Sequence, residues 1–270
     1  MESRAHREAQ VKKGTRAFLA HEMQPRTEME GEMGLGYGMM MGLDPTYILV
    51  IIALVFTLIV QGRMKSTFNK YSRIASACGL TGAMAAQRIL ESEGLYNVRV
   101  EHISGSLTDH YDPRTKVVNL SDTVYGQRSL AAIGVAAHEC GHAIQDAREY
   151  QPLRLRSALV PVANFGSMAA FPVFIGGLIF SIRPLLTAGI LLFCLALLFQ
   201  IVTLPVEFNA SSRALKKLEG TGLMASNEIA GSRAVLRAAA MTYVAAAAAT
   251  VMQLLRLILL ASGSGGRRRS

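Results

Sequence analysis

The chain has 270 residues, of which 51% are hydrophobic and only 17% are charged, and its mean hydropathy is +0.30. Globular chains carry about 25% charged residues, so this composition excludes an ordinary soluble domain and a disordered or fibrous protein. The net charge of +9 would suggest nucleic acid as the partner of a soluble protein, whereas in a membrane protein it reflects basic cytoplasmic loops. Three scattered cysteines support neither a disulfide framework nor a cysteine-based zinc ribbon.

The N-terminal region carries no pattern that is typical of a packed domain. Residues 1–32 mix acidic and basic side chains with little apolar periodicity, and a Gly- and Met-rich stretch follows. We therefore predict that residues 1–43 form a disordered extension. The first apolar run begins too late for the core of an ordinary signal peptide, and Met33 and Met39 are alternative start sites.

Four predominantly apolar stretches follow, and each predicts a membrane-spanning helix. They cover residues 45–62, 157–182, 184–206 and 238–260. A bilayer core of about 30 Å requires about 20 apolar residues in a helix. The second and third stretches meet this requirement comfortably and the first just meets it. The Ala-rich fourth stretch is the weakest, and a buried globular helix is its alternative. The lipid bilayer is therefore an expected partner.

The basic residues between these stretches predict the orientation of the chain. Several follow the first stretch within residues 63–73, whereas residues 27–46 before it contain no Lys or Arg. A second basic group lies within residues 207–237. By the positive-inside rule both segments face the cytoplasm, which explains the net charge without nucleic acid. Only the basic tail, residues 261–270, disagrees, because an even number of spans places it outside.

The segment 63–156 is the only part of the chain that resembles a soluble domain. Its patterns predict a helix over residues 81–92, strands over 97–103 and 116–120, and a buried helix over 129–146 whose first residue is the N-cap. The order is helix, two strands, helix. The second strand is either an edge strand that can pair with an extended peptide or an ordinary paired strand.

The last of these helices carries the sequence His138-Glu139-Cys140-Gly141-His142. Histidines at i and i+4 lie one turn apart on one face, so both imidazoles can bind one Zn²⁺. Glu139 points beside the metal, where it can take a proton from the water that zinc activates. The alternative is histidines that are satisfied by hydrogen bonds in the core. We expect Cys140 to fill a small space rather than act as a nucleophile, and Gly141 to allow close packing behind the metal.

A catalytic zinc site needs a third protein ligand, and because no further histidine follows at a suitable spacing, a carboxylate is required. Glu207 is the favoured candidate, since a carboxylate between apolar neighbours at the membrane boundary is unfavourable unless it is paired or liganded. An interfacial acid that binds no metal is the alternative. The orientation places Glu207 on the same side of the membrane as His138 and His142. The less favoured carboxylates are Asp146, Glu149, Glu219 and Glu228.

Three separated motifs resemble the YugP-type neutral zinc metallopeptidases, which are bacterial integral membrane proteins. The motifs are His138-Glu-Cys-Gly-His-Ala-Ile-Gln145, Glu207-Phe-Asn-Ala-Ser211 and Asp44-Pro-Thr-Tyr47, and the likeness covers about residues 43–262. The resemblance implies a zinc peptidase of the bacterial plasma membrane with His138 and His142 as ligands and Glu139 as catalytic base. The more distant membrane heat-shock and CAAX-prenyl proteases have an Asp where this chain has Ser211, so no Asp–His bond is expected here.

We therefore predict a mainly α integral membrane protein with about four transmembrane helices and a small α+β, gluzincin-like zinc peptidase domain over residues 63–156. The third ligand of its single zinc ion lies in the cytoplasmic segment 207–237. The predicted function is that of a metalloendopeptidase that acts on protein or peptide substrates at the cytoplasmic side. A zinc-binding scaffold or chaperone-like protein is the alternative, against which the intact Glu139 argues. A transporter or channel subunit is disfavoured by the small number of ionisable groups inside the spans.

Overall fold

The computed structural model describes residues 44–266 of the chain, so the extension predicted over residues 1–43 lies outside the described residues, as do the basic residues 267–269. The described part is mainly helical, with a small sheet. Its elements are α1 (Tyr47–Tyr71), α2 (Gly82–Ser92), β1 (Arg99–Ile103), β2 (His110–Asp112), β3 (Val117–Ser121), α3 (Leu130–Ala147), α4 (Gln151–Ile179), α5 (Arg183–Gly220) and α6 (Ser226–Gly266).

The helices α1, α4, α5 and α6 are each long and apolar enough to cross a membrane, which confirms the four predicted apolar helices. All four extend beyond the predicted spans, because the polar residues that border an apolar stretch do not stop a helix. In α5 the extension lies mainly at the C-terminal end, and its 38 residues measure about 57 Å, well above the bilayer core of about 30 Å. Its apolar part therefore continues without interruption into the polar part that contains Glu207.

The motif Asp44-Pro-Thr-Tyr47 forms the turn that opens α1. The Asp44 carboxylate accepts hydrogen bonds from the backbone N–H of Thr46 at 3.1 Å and from its hydroxyl at 2.7 Å. The backbone N–H of Tyr47 donates to the Asp44 carbonyl at 2.9 Å. These contacts satisfy donors at the start of the helix, which is the role of an N-terminal aspartate.

The sheet contains three strands in the order β1-β3-β2, one more than the sequence predicted. The additional strand β2 has only three residues and no apolar alternation, so it carries no sequence signal. It pairs antiparallel with β3, and β1 pairs parallel with the other side of β3. The interpretation of residues 116–120 as an edge strand is therefore wrong, because β3 is the central strand and is paired on both sides.

Helix α3 is the central element of the fold, since it packs against α2, α5, α6 and the sheet. Its N-cap is Ser129, as predicted, whose hydroxyl accepts a hydrogen bond from the Ala132 N–H at 3.2 Å. Half of its residues are Ala, Gly or Cys, which let the neighbouring helices approach closely. A Cβ atom at Gly141 would lie 2.5 Å from the carbonyl oxygen of Ala210 in α5. The prediction that Gly141 allows close packing is thereby confirmed.

Candidate metal centre

His138, His142 and Glu207 lie together where α3 packs against α5, and each offers a ligand atom within 4.8 Å of the other two. One carboxylate oxygen, Oε2 of Glu207, faces both imidazoles, at 3.2 Å from Nε2 of His138 and 3.5 Å from Nε2 of His142. The two rings meet edge to face, with centroids 4.7 Å apart. These three donors converge although His138 and Glu207 are 69 positions apart in the sequence.

Close packing of two helices explains this convergence. Glu207 belongs to the buried face of α5, which also includes Val206 and Ala210. Ala210 contacts Gly141, the neighbour of His142, and it lies one turn after Glu207. The Glu207 side chain is thus held against the histidines, and only 2% of the residue is exposed.

A hydrogen-bond network fixes the orientation of His142. The Gln145 amide nitrogen donates to the Val206 carbonyl at 2.8 Å and to Oδ1 of Asn209 at 3.0 Å. The amide oxygen of Gln145 therefore faces Nδ1 of His142 at 3.0 Å and accepts its proton. Because Nδ1 of His142 is engaged in this way, Nε2 is the nitrogen that faces Glu207, and a metal that replaces the proton between them would find the tautomer that a ligand requires.

Ser211 has the corresponding position beside the other imidazole. Its Oγ lies 3.1 Å from Nδ1 of His138 and can accept the proton of that nitrogen. A neutral hydroxyl therefore lies beside this imidazole. Both histidines therefore present Nε2 to Glu207 and have uncharged partners at Nδ1.

Glu139 is buried next to the histidines, with 7% of the residue exposed. Burial raises the pKa of its carboxyl, while the neighbouring imidazoles of His138 and His142 act in the opposite direction. Burial would by itself lower the pKa of His142, but its hydrogen bond to Glu207 and the negative charge of Glu139 raise it overall. Burial also raises the pKa of the Cys140 thiol, which stays protonated and suits a small core residue rather than a nucleophile.

The other carboxylates considered from the sequence lie elsewhere or have other partners. Asp146 accepts hydrogen bonds from the Tyr111 hydroxyl and the Lys116 ammonium group. Glu149 is exposed and pairs with Arg154, Glu219 is exposed, and Glu228 accepts the Ala77 N–H at 2.7 Å. Within residues 44–262, Glu207 is therefore the carboxylate that joins the two histidines in a group able to hold a metal.

The donor set fits zinc on chemical grounds. Two imidazole nitrogens and one carboxylate oxygen are a ligand set of catalytic zinc sites, which keep a fourth position for water or substrate. The Nδ1 contacts of both histidines leave their Nε2 lone pairs for a cation. A nearly buried carboxylate whose hydrogen bonds come from imidazoles is also suited to a cation at this place.

Three further residues of the site were missed from the sequence. Gln145 lies inside the first motif, but nothing in its spacing indicates that it contacts His142. Arg156 was not singled out in the sequence, yet its Nη2 lies 4.0 Å from Oε1 of Glu207. Tyr243 of α6 also neighbours Glu207. The last two contacts join separate helices, and no local pattern encodes such contacts.

Comparisons with known proteins identify a family for this chain. Residues 46–262 match a protein family described as "Putative neutral zinc metallopeptidase". The chain is also similar to the "Putative membrane protease YugP" of Bacillus subtilis (strain 168), with 49% identity over 197 residues, which are 73% of this chain and 88% of that protein. No solved structure gives a significant match.

Proposed function

The chain belongs to the neutral zinc metallopeptidase family, and from this membership we propose that it is a membrane-bound metalloendopeptidase. The observation that carries the proposal is the convergence of His138, His142 and Glu207, with Glu139 buried beside them. A site that only binds a metal for structural reasons needs no proton acceptor, so the position of Glu139 favours an enzyme over a zinc-binding scaffold.

In this proposal His138, His142 and Glu207 would hold a single zinc ion. Zinc supplies Lewis acidity, which polarises a carbonyl group and makes water more acidic. Gln145 and Ser211 hold the imidazoles in the required tautomer and orientation.

Glu139 then acts as the general base. Its carboxylate takes a proton from the attacking water while the water oxygen bonds to the carbonyl carbon of the scissile peptide. The same proton passes from Glu139 to the leaving amine as the C–N bond breaks, so the carboxylate is regenerated. Among the described residues, none donates a hydrogen bond to the Glu139 carboxylate that would compete with the attacking water.

The remaining parts of the proposal concern domains, substrate and location. We propose that residues 63–156 form a gluzincin-like peptidase domain between the first two spans, and that α5 brings the third ligand to it from the membrane. The basic segments 63–73 and 207–237 support a cytoplasmic active site in a bacterial plasma membrane. Protein or peptide segments on that side are the proposed substrates.

Glu139→Gln tests the assigned base. The amide cannot accept the proton, so the variant should keep its zinc and its fold while cleavage of an unfolded test protein falls by at least about 10²-fold. Zinc content, thermal unfolding in detergent and chelator-sensitive cleavage are measured on the same preparations. Turnover near that of the unchanged protein would show that Glu139 is not the base.

Glu207→Ala tests the third ligand. The variant should lose zinc affinity and activity together, whereas Asp146→Asn and Glu219→Gln should keep their metal, since neither side chain joins the histidines. Zinc stoichiometry after dialysis against a weak chelator decides the matter. Full zinc occupancy in Glu207→Ala together with loss of zinc from Asp146→Asn would show that Glu207 is not the third ligand.

A further inference from the structure

Arg156 in the second turn of α4 is a partly buried arginine that forms no hydrogen bond with the part of the chain that the structure describes. Only 32% of its side chain is exposed, and its Nε is buried without a hydrogen-bond partner among the described residues. Its ion-pair contact is with Glu207, where Nη2 and Oε1 are 4.0 Å apart, which is longer than a hydrogen bond. Buried donors are nearly always satisfied in proteins, so the Nε of Arg156 requires an acceptor that the described residues do not provide.

The position of Arg156 indicates where this acceptor lies. Oε2 of Glu207 faces the two histidines, and Oε1 of the same carboxylate faces Arg156. The Glu207 carboxylate therefore lies between the guanidinium group of Arg156 and the two imidazoles. No other Lys or Arg within residues 44–262 forms an ion pair with the residues of the metal centre.

Charge also distinguishes the kind of acceptor. Glu139 and Glu207 would offset the charge of a bound zinc ion, so the Arg156 guanidinium group is the positive charge that is left to face an acceptor which becomes negative. A peptide carbonyl is neutral when it binds and gains negative charge only while water adds to it. Fixed donors that face such developing charge stabilise the transition state more than the bound substrate.

We propose that Arg156 donates hydrogen bonds to the carbonyl oxygen of the scissile peptide while negative charge accumulates there. This inference rests on the proposed function. Arg156 forms no covalent bond and gives up no proton. As water adds, the electron pair of the carbonyl double bond moves to the oxygen, which the guanidinium group stabilises, and the pair returns when the C–N bond breaks. Arg156 is then a catalytic residue.

The test compares Arg156→Met and Arg156→Lys with the matched control Arg154→Met. Arg154 belongs to the same helix, but its side chain is 62% exposed and pairs with Glu149 at the surface. In Arg156→Met we expect kcat to fall by about 10²- to 10³-fold, with KM and zinc stoichiometry unchanged. Arg156→Lys should recover part of the loss, and Arg154→Met should behave like the unchanged protein.

A second measurement does not depend on turnover. A phosphinic peptide carries a tetrahedral anionic group in place of the scissile bond, and its dissociation constant is measured by calorimetry on each zinc-loaded protein. We expect Arg156→Met to weaken this affinity by a factor close to its loss in kcat. Binding of a substrate peptide to Glu139→Gln should stay the same when Arg156→Met is added, because the uncleaved carbonyl carries no charge.

Three results would overturn the inference. Loss of zinc from Arg156→Met would show that Arg156 only holds Glu207 in place. A rise in KM confined to peptides with a free C-terminal carboxylate would make Arg156 a binding site for that carboxylate. Equal phosphinic-peptide affinities in the unchanged protein and in Arg156→Met would show that it contacts no reacting atom. Absence of zinc-dependent cleavage by the unchanged protein would refute the proposed function, whereas equal phosphinic-peptide affinities together with zinc-dependent cleavage would refute only the role of Arg156.

Discussion

Gly141→Ala tests whether the close contact between α3 and α5 holds the metal centre together. The new Cβ would lie 2.5 Å from the Ala210 carbonyl oxygen and 3.0 Å from its carbonyl carbon. Both atoms belong to the backbone of a helix, so no rotamer change can relieve the clash. The two helices must separate by at least about 0.5 Å before the contact reaches a tolerable distance.

The magnitude follows from two opposing effects. Alanine is about 1 kcal/mol more favourable than glycine inside a helix. Overpacking of a close contact destabilises a protein by about 1 to 3 kcal/mol, so we expect a net loss of stability of up to about 2 kcal/mol. Zinc affinity should also fall, because Gly141 adjoins His142 and Ala210 lies one turn from Glu207. Separation of the helices moves the carboxylate away from the imidazoles, and we expect zinc affinity to fall by about 10- to 100-fold.

The assay is zinc titration with a competing chelator, together with thermal unfolding of the metal-free protein in detergent. The matched control is Gly176→Ala in α4, where an added Cβ meets nothing within 4 Å. The control should bind zinc normally and be as stable as the unchanged protein or slightly more so. If Gly141→Ala matched this control in both measurements, the contact with Ala210 would not position the ligands.

Four further predictions address the hydrogen bonds of His142, the ion pair of Glu93, the orientation in the membrane and the binding of zinc. Gln145→Leu removes the acceptor for Nδ1 of His142 and should weaken zinc binding by about 10- to 100-fold, as chelator competition will show; unchanged affinity would contradict this. A hydrogen bond from Lys217 keeps the pKa of Glu93 below its usual 4.5, so Glu93→Gln should lower the unfolding temperature at neutral pH. The difference between the two proteins should shrink as the pH falls below about 4.5, and a pH-independent difference would refute the ion pair. A reporter that is active only in the periplasm should stay inactive when fused near Asn97, and activity there would reverse the topology. Zinc at 100 times its dissociation constant should stabilise the unchanged protein by about 2.7 kcal/mol but should not stabilise Glu207→Ala, as unfolding with and without chelator will show. Equal stabilisation of both proteins would refute Glu207 as a zinc ligand.

The sequence predicts most about elements whose signal is local. The apolar stretches identify the four long helices, and the N-cap Ser129 marks the beginning of α3 because capping depends on neighbouring residues. The spacing of His138 and His142 places both imidazoles on one helical face, and the structure brings them together with Glu207. That these residues bind zinc and that Glu139 is the base remain predictions.

Contacts between distant segments could not be predicted in the same way. The strand β2 is three residues long and is defined only by its pairing with β3. Arg156 and Tyr243 approach Glu207 from α4 and α6, and each contact depends on how those helices cross α5. Hydrophobic periodicity indicates which side of an element is buried, but it does not indicate which residue of another element it will meet.

The position of Glu207 in the continuous helix α5 has a consequence for how the protein forms its site. The two histidines belong to α3 in the segment between the first two long apolar helices, whereas Glu207 extends from the apolar part of α5. Neither segment holds a complete donor set, so the metal centre forms only when α3 packs on α5 through Gly141 and Ala210. Because α5 packs against α4 and α6, we expect the three ligand atoms to come together only after those helices have assembled. The proposed protease would then be incomplete until its long apolar helices have packed together.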